Sequence, residues 1–138
     1  MTKTYLDSGV LLAAWRSIDD SKAEFAISVI EDPKRLFYTS QLTKLELLPK
    51  ATYFKQHEEL DFYRAHFEAT AGEAALNREL GLSAEEIAAK YGLAAIDSLH
   101  VAAAIKLGAE EFITTEKKDK PLFRVKEIKV RHLYSISV

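Results

Sequence analysis

The sequence predicts an α/β domain with a mainly parallel central sheet and helices on both of its faces. Short runs rich in β-branched and aromatic residues alternate along the chain with longer runs of helical periodicity. Units of this kind place their strands side by side in one direction and cover the sheet with the intervening helices. A length of 138 residues with a hydrophobic fraction of 48% fits one folded domain.

The first half of the chain alternates predicted strands with predicted helices. Asp7 lies at the end of the first strand, and Pro49 predicts a kink or local break in the third helix because proline lacks the backbone N–H. The strands are predicted at residues 4–6 and 35–40, and the helices at 21–30, from a cap at Ser40 or Thr43 onward, and at 54–71.

The second half is predicted to be dominated by an apolar helix at residues 93–109, which begins after Gly92. A capping-box spacing of Ser83 and Glu86 predicts the start of the helix before it. After the apolar helix come a predicted strand at 110–115, a loop with one helical turn at 117–124, and one or two strands at 126–138, with Ile128, Val130, Tyr134, Ile136 and Val138 alternating.

Composition excludes several classes of function. With no cysteine, disulfides, thiolate catalysis and cysteine-type zinc sites are absent. No run of 18 apolar residues and no signal-peptide pattern occurs, so we expect a cytoplasmic protein with no membrane partner. The net charge of −2 conceals a basic stretch at residues 117–131, which is either a solvated sheet edge or a surface for phosphates.

Four carboxylates share an unusual setting. Asp7 ends a strand, Glu46 lies among leucines, Asp97 interrupts the apolar helix, and Glu116 follows another strand. The carboxyl ends of strands in such a sheet open onto one crevice, so these acids can converge there. Converging carboxylates repel each other unless a cation compensates them, and oxygen-only ligands suit Mg²⁺ or Mn²⁺.

Each acid also has a structural explanation. Asp7 could cap the helix that follows it, and Asp97 could be the N-cap of the apolar helix or lie in its first turn, facing the positive end of the helix dipole. Glu46 could complete a capping box with Thr43, and Glu116 could be an ordinary loop residue. His100, three residues after Asp97, is interpreted as a hydrogen-bonded core histidine rather than a ligand.

Four motifs in order along the chain resemble the PIN-domain nucleases, most closely the VapC-like toxins of toxin–antitoxin pairs: YLDSGVLLAA, LTKLELLPKA, LAAIDSLHVAAA and FITTEKKDKPLF. The resemblance implies a single PIN-like domain over residues 1–138. It assigns metal binding and catalysis to Asp7, Glu46, Asp97 and Glu116. The family commonly has Asp where this chain has Glu116, and Asp119 is nearby. Ser8 and Thr114 or Thr115 match the hydroxyl positions that support the family's site.

The function implied is metal-dependent hydrolysis of RNA by an Mg²⁺- or Mn²⁺-dependent endoribonuclease, which leaves a 5′-phosphate and a 3′-hydroxyl. The implied partners are an RNA substrate, a small antitoxin and a second copy in a homodimer. RNA could be held by the basic stretch and by stacking on Trp15 or Tyr53. The surfaces for protein partners could include Phe25, Ile27, Tyr53 and Phe54, all of which could instead be core residues.

Two other functions remain open at this stage. One is a non-catalytic PIN-like scaffold that binds RNA or protein, in which the acids serve only the fold. The other is a receiver-like or phosphatase-like phosphotransfer domain that uses Asp7 as a nucleophile, although no second acid stands beside Asp7.

Overall fold

A computed structural model describes residues 1–136 as a five-stranded sheet covered by six helices. The strand order is β3-β2-β1-β4-β5, and every neighbouring pair is parallel. The predicted fold class is therefore confirmed. The strands are β1 (Thr2–Leu6), β2 (Arg35–Ser40), β3 (Gly72–Ala74), β4 (Glu111–Thr114) and β5 (Lys129–His132).

Helices connect these strands and lie on both sides of the sheet. They are α1 (Ser8–Arg16), α2 (Asp20–Ile30), α3 (Gln41–Tyr53), α4 (His57–Ala69), α5 (Arg78–Tyr91) and α6 (Ala95–Lys106), with 3₁₀ turns at Pro121–Arg124 and Leu133–Ser135. None of the helices described within residues 1–136 has the length and apolar character needed to cross a membrane.

Successive side chains along each strand point to opposite faces of the sheet, and this divides the core into two main layers. Tyr5 and Phe112 point to the face covered by α5 and α6, whereas Leu6 and Ile113 point to the face covered by α1 and α2. Because side chains alternate across a strand, one β1–β4 pair supplies both layers. A third cluster joins α1, α3 and α4 around Leu11.

The sequence predicted most elements but misplaced several boundaries. The α5 helix begins at Arg78 rather than near Ser83, because Asn77 accepts the Leu80 N–H at 2.9 Å and caps the helix earlier. Strand β3 was not predicted, since its three residues include a glycine and no β-branched residue.

The structure narrows two further expectations about local structure, at Pro49 and after β5. The α3 helix continues through Pro49 without a break, because Pro49 and Leu45 lie on its exposed face, where water can hydrate the carbonyl that loses its partner. Of the one or two terminal strands expected, one is present within the described residues, β5. The chain after it forms a 3₁₀ turn, in which the His132 ring accepts the Tyr134 N–H at 3.2 Å. The predicted position of Val138 lies outside the described residues.

Candidate active site

The four candidate acids meet at the carboxyl edge of the sheet. Asp7 directly follows β1, Glu116 comes two residues after β4, Glu46 lies on the helix that follows β2, and Asp97 is in the first turn of α6. All four line a single cavity of about 480 Å³. The crevice expected at this edge therefore exists, and the four predicted residues share it.

Asp7 is buried at the bottom of this site. It caps α1 by accepting the Gly9 N–H at 2.9 Å, and its other oxygen accepts a hydrogen bond from the Thr114 hydroxyl at 2.5 Å. Burial raises the pKa of Asp7 to about 6, in spite of these hydrogen bonds, and the charge of Asp97 contributes to the rise. The capping explanation is thus correct for Asp7, but it does not remove the cost of the buried charge.

Thr114 connects two of the acids through its hydroxyl group. It donates to Asp7 and accepts the Glu116 backbone N–H at 3.0 Å. This double contact fixes the chain where it leaves β4 and turns it toward the cavity. Thr114 matches one of the hydroxyl positions that the sequence resemblance had indicated.

The Glu46 carboxylate is hydrogen-bonded through only one of its two oxygens. Its Oε1 accepts hydrogen bonds from the Ser8 hydroxyl and from His100 Nε2, each at 2.5 Å. Burial alone would raise the pKa of Glu46, but the hydrogen bonds from His100 and Ser8 outweigh it and lower the pKa. Among residues 1–136, no hydrogen bond or salt bridge engages Oε2, so this oxygen is available to a ligand. Glu46 does not form the capping box with Thr43, since Ser40 caps α3.

Of the two structural roles that the sequence left open for Asp97, the structure shows a place in the first turn of α6 and not the N-cap. The N-cap of α6 is Ala94, and no hydrogen bond to the Asp97 carboxylate occurs within the described chain. Burial raises the pKa of Asp97, and the charges of Glu116 and Glu46 raise it further. Asp97 and Glu116 are half-buried carboxylates that repel each other across the cavity.

These residues fit a hard divalent cation, although they do not form a tight cage. Within residues 1–136, no three His, Asp or Glu side chains lie close enough together to make a preassembled metal site. Mg²⁺ does not require one, because it keeps several waters and binds through one or two carboxylates. A free oxygen on Glu46 and the unpaired, mutually repelling Asp97 and Glu116 are suitable ligands for such an ion.

Comparison with known proteins identifies the family of the chain. The profile of the PIN domain matches residues 4–127. The chain belongs to the PIN domain family. PIN domains are generally nucleases. A search among curated protein sequences finds no significant match.

Several solved structures share the fold of this PIN domain. VapBC2 from Rickettsia felis bound to a promoter DNA fragment has a TM-score of 0.68 at 12% identity, with 95% of this chain and 98% of that chain covered. FitAcB from Neisseria gonorrhoeae has a TM-score of 0.63 at 19% identity, with coverage of 96% and 99%. A toxin–antitoxin complex from Klebsiella pneumoniae has a TM-score of 0.62 at 18% identity, with coverage of 91% and 98%.

The mouth of the PIN-domain site carries a basic residue that the sequence did not single out. A second cavity, of about 530 Å³, adjoins the first and shares Asp97 and Glu116 with it, and Lys120 lines its wall. Asp119 lines neither cavity and is exposed. Position in the cavity therefore favours Glu116 over Asp119 as the fourth acid.

The rest of the basic stretch is more dispersed than the sequence suggested. Arg131 donates to the buried Glu111 at 2.8 Å and so serves the fold. Of the aromatic residues proposed for stacking, Trp15 is 39% exposed and Tyr53 is 79% exposed. Trp15 packs on Phe62 with ring centroids 5.5 Å apart, which leaves Tyr53 as the more accessible of the two.

His100 is a buried, hydrogen-bonded residue, as the sequence predicted, with a side chain that contacts both Glu46 and Tyr5. The sequence interpretation missed its contact with a candidate metal ligand. No sequence signal indicates this contact. The spacing of three residues between His100 and Asp97 shows only that both lie on one side of α6.

Proposed function

We propose that this PIN domain is an Mg²⁺- or Mn²⁺-dependent endoribonuclease and the toxin of a type II toxin–antitoxin pair. The observation that carries the proposal is the placement of four carboxylates around one cavity, with Lys120 at its adjoining opening. Asp7, Glu46, Asp97 and Glu116 are proposed as both the catalytic and the metal-binding residues, within a single domain over residues 1–138.

The chemistry divides between the ion and the side chains. A bound divalent cation supplies a water of lowered pKa and stabilises charge on the phosphoryl oxygens. Asp7, Glu46 and Asp97 would hold the ion, and Glu116 would bind it as well or position the attacking water. The Gly9 N–H and the Thr114 hydroxyl keep the Asp7 carboxylate in place. Hydrolysis would leave a 5′-phosphate and a 3′-hydroxyl.

RNA would reach this site along the cavity that Lys120 lines. The positive charge of Lys120 would offset part of the repulsion between an RNA phosphate and the acids of the cavity. Tyr53, with most of its ring exposed, offers a surface on which an unpaired base could stack. A single-stranded or looped RNA suits this combination better than a regular duplex, whose bases are not available for stacking.

The expected protein partner is a small antitoxin that covers the acidic cavity. Support comes from the fold likeness to chains of toxin–antitoxin complexes. A basic side chain of such a partner would complement the unpaired Asp97 and Glu116. We also expect a homodimer and a cytoplasmic location, both of which remain predictions.

One alternative function keeps some support. A non-catalytic PIN-like scaffold would agree with the lack of a preassembled group of three ligands within the described residues. It does not explain why Asp97 lies beside Glu116 without a salt bridge, since the repulsion between the two carboxylates raises the pKa of Asp97 although the helix dipole favours its charge. The family match gives no support to the phosphotransfer alternative.

The decisive test is cleavage of a mixed panel of structured and unstructured RNAs with Mg²⁺, Mn²⁺ or EDTA. Asp97→Asn should abolish the metal-dependent cleavage, and Asp119→Asn should leave it intact, since Asp119 lies outside both cavities. Product ends are read by phosphatase sensitivity. No cleavage and no metal binding by the unsubstituted protein would refute the proposal and favour the scaffold.

A further inference from the structure

His100 lies at the centre of a buried chain of polar side chains behind the candidate site. Its Nε2 meets Glu46 Oε1 at 2.5 Å, and its Nδ1 meets the Tyr5 hydroxyl at 2.8 Å. The Tyr5 hydroxyl in turn lies 2.7 Å from Ser40 Oγ and 3.2 Å from Thr43 Oγ1. All of these residues except Glu46 are almost completely buried.

The positions of the protons in this chain follow from the chemistry of its ends. An ionised carboxylate only accepts hydrogen bonds, so His100 Nε2 must carry a proton to bond Glu46. In the neutral imidazole that we propose, the other nitrogen is an acceptor, which assigns the Tyr5 hydroxyl as the donor to Nδ1. Ser40 and Thr43 can donate to the Tyr5 oxygen, which satisfies every polar atom in the chain.

Packing holds the chain in place. The Tyr5 ring stacks on Phe112 at 5.4 Å between centroids, with an interplanar angle of 12°. It meets the His100 ring edge to face at 5.8 Å. A histidine that is hydrogen-bonded at both nitrogens and packed on its ring has one orientation. Its hydrogen bond therefore restricts the position of the one Glu46 oxygen that it contacts.

We infer that His100 is a positioning residue that holds the Glu46 carboxylate so that its free Oε2 faces the cavity, and that Tyr5 fixes His100 in the Nε2–H form. The inference rests on the proposed metal site, which it deepens. Glu46 comes from α3 and has 34% of its side chain exposed, so the contact with the rigid α6 restricts a group that could otherwise turn toward solvent. Groups that orient a metal ligand in this way are worth about 10- to 100-fold in metal affinity.

The test uses matched substitutions at one position. Glutamine reaches as far as Nε2 and can still donate to Glu46, whereas asparagine ends near Nδ1 and cannot. Mn²⁺ titration of the purified protein, followed by the loss of the free-ion electron paramagnetic resonance signal, should give His100→Gln an affinity close to that of the unsubstituted protein. His100→Asn should bind about 10- to 100-fold more weakly. Tyr5→Phe should give a smaller loss, since Nε2 remains but nothing fixes the ring.

Two further measurements, the melting temperature and the position of the imidazole proton, show whether His100 positions Glu46 or only stabilises the fold. All three variants should melt at a lower temperature because each disturbs buried hydrogen bonds. If His100 were only structural, metal affinity measured well below each melting transition would be the same in the Gln and Asn variants, and that result would overturn the inference. Nitrogen NMR of the unsubstituted protein should show a protonated Nε2, and an unprotonated Nε2 would equally overturn it.

The same measurements distinguish the failure of the inference from the failure of the proposed function. If the unsubstituted protein binds no Mn²⁺ and cleaves no RNA, the metal site itself is refuted. If it binds and cleaves while His100→Asn does both equally well, only the role of His100 is refuted.

Discussion

Replacing Asp7 with Asn should abolish RNA cleavage and, at neutral pH, make the protein more stable. Burial raises the pKa of Asp7 from 3.8 to about 6, which corresponds to a cost of about 3 kcal/mol for keeping the carboxylate ionised in the fold. Asparagine removes the charge while its amide oxygen can still accept the Gly9 N–H. Because the bond from Thr114 to a charged oxygen is lost, we expect a net gain of roughly 1–3 kcal/mol, or roughly 3–10 °C in melting temperature.

The stability gained by Asp7→Asn should depend on pH in one direction. A carboxyl group whose pKa is raised by folding costs nothing below its unfolded pKa, where both states are protonated, and its full cost appears only above the folded pKa. The stability difference between Asp7→Asn and the unsubstituted protein should therefore be small near pH 4, grow toward pH 6 and level off above it. Urea unfolding in EDTA at pH 4, 5, 6 and 7.5 measures the difference directly.

Asp19 provides a matched control for this experiment. It caps α2 as Asp7 caps α1, accepting the N–H groups of Ser21 and Lys22, but it is fully exposed and its pKa is lowered, chiefly by the Ser21 hydroxyl. Asp19→Asn should be neutral or slightly destabilising at pH 7.5 and should leave cleavage unchanged. If Asp7→Asn were also destabilising at pH 7.5, capping would outweigh the cost of charge burial and the reasoning would be wrong.

Four further predictions follow from the same geometry. Glu116→Gln should lower metal-dependent cleavage roughly 100-fold or more, by loss of several kcal/mol of charge stabilisation, while Asp119→Asn should not; equal effects would contradict the cavity assignment. Gly9→Ala should destabilise by about 1–3 kcal/mol in urea unfolding, because its Cβ would lie 2.3 Å from Thr115 Oγ1, and adding Thr115→Ala should restore most of the loss. Lys120→Ala should raise KM for RNA and reduce the salt dependence of binding. Lys129→Ala should do neither, because Lys129 begins β5 and so lies at the edge of the sheet opposite the cavity. Mn²⁺ at about 100 times its Kd should raise the unfolding free energy by about 2.7 kcal/mol, and no shift in melting temperature would refute metal binding.

Most of the fold could be predicted because local signals and tertiary packing agree. The strand at 35–40 and the α2 helix ending at Ile30 were predicted to within a residue or two, since an apolar pattern and a capping or breaking residue mark both ends. The start of α5 was wrong because two capping signals, at Asn77 and Ser83, compete, and the sequence does not say which one the core selects. Strand β3 has no local signal and exists only because β2 offers it an edge.

The convergence of the acids could be predicted for a geometric reason. Parallel strands end at the same edge of a sheet, so a residue just after β1, another just after β4 and a helix just after β2 must be neighbours. The contact between His100 and Glu46 could not be predicted from the sequence, because it depends on how close α3 lies to α6. These two helices are separated by more than 40 residues of sequence. Lys120 was hidden for a similar reason: the sequence shows a basic stretch, but only the fold shows which of its residues borders the acids.

The structural and functional explanations of the acids are compatible, and Asp97 is the residue that separates them. Asp7 caps a helix and Glu46 has two hydrogen-bond donors, so stability could account for both side chains. Asp97 lies in the first turn of α6, where the helix dipole favours a carboxylate by about 0.3–1 kcal/mol, but it is not the N-cap and has no hydrogen-bond donor within residues 1–136. Burial and the neighbouring negative charges outweigh the dipole and raise its pKa. Neutral replacement at Asp97 should therefore leave folding unharmed or improve it. If Asp97→Asn instead destabilised the protein while RNA cleavage survived, the carboxylate would be part of the fold and the nuclease proposal would lose its main support.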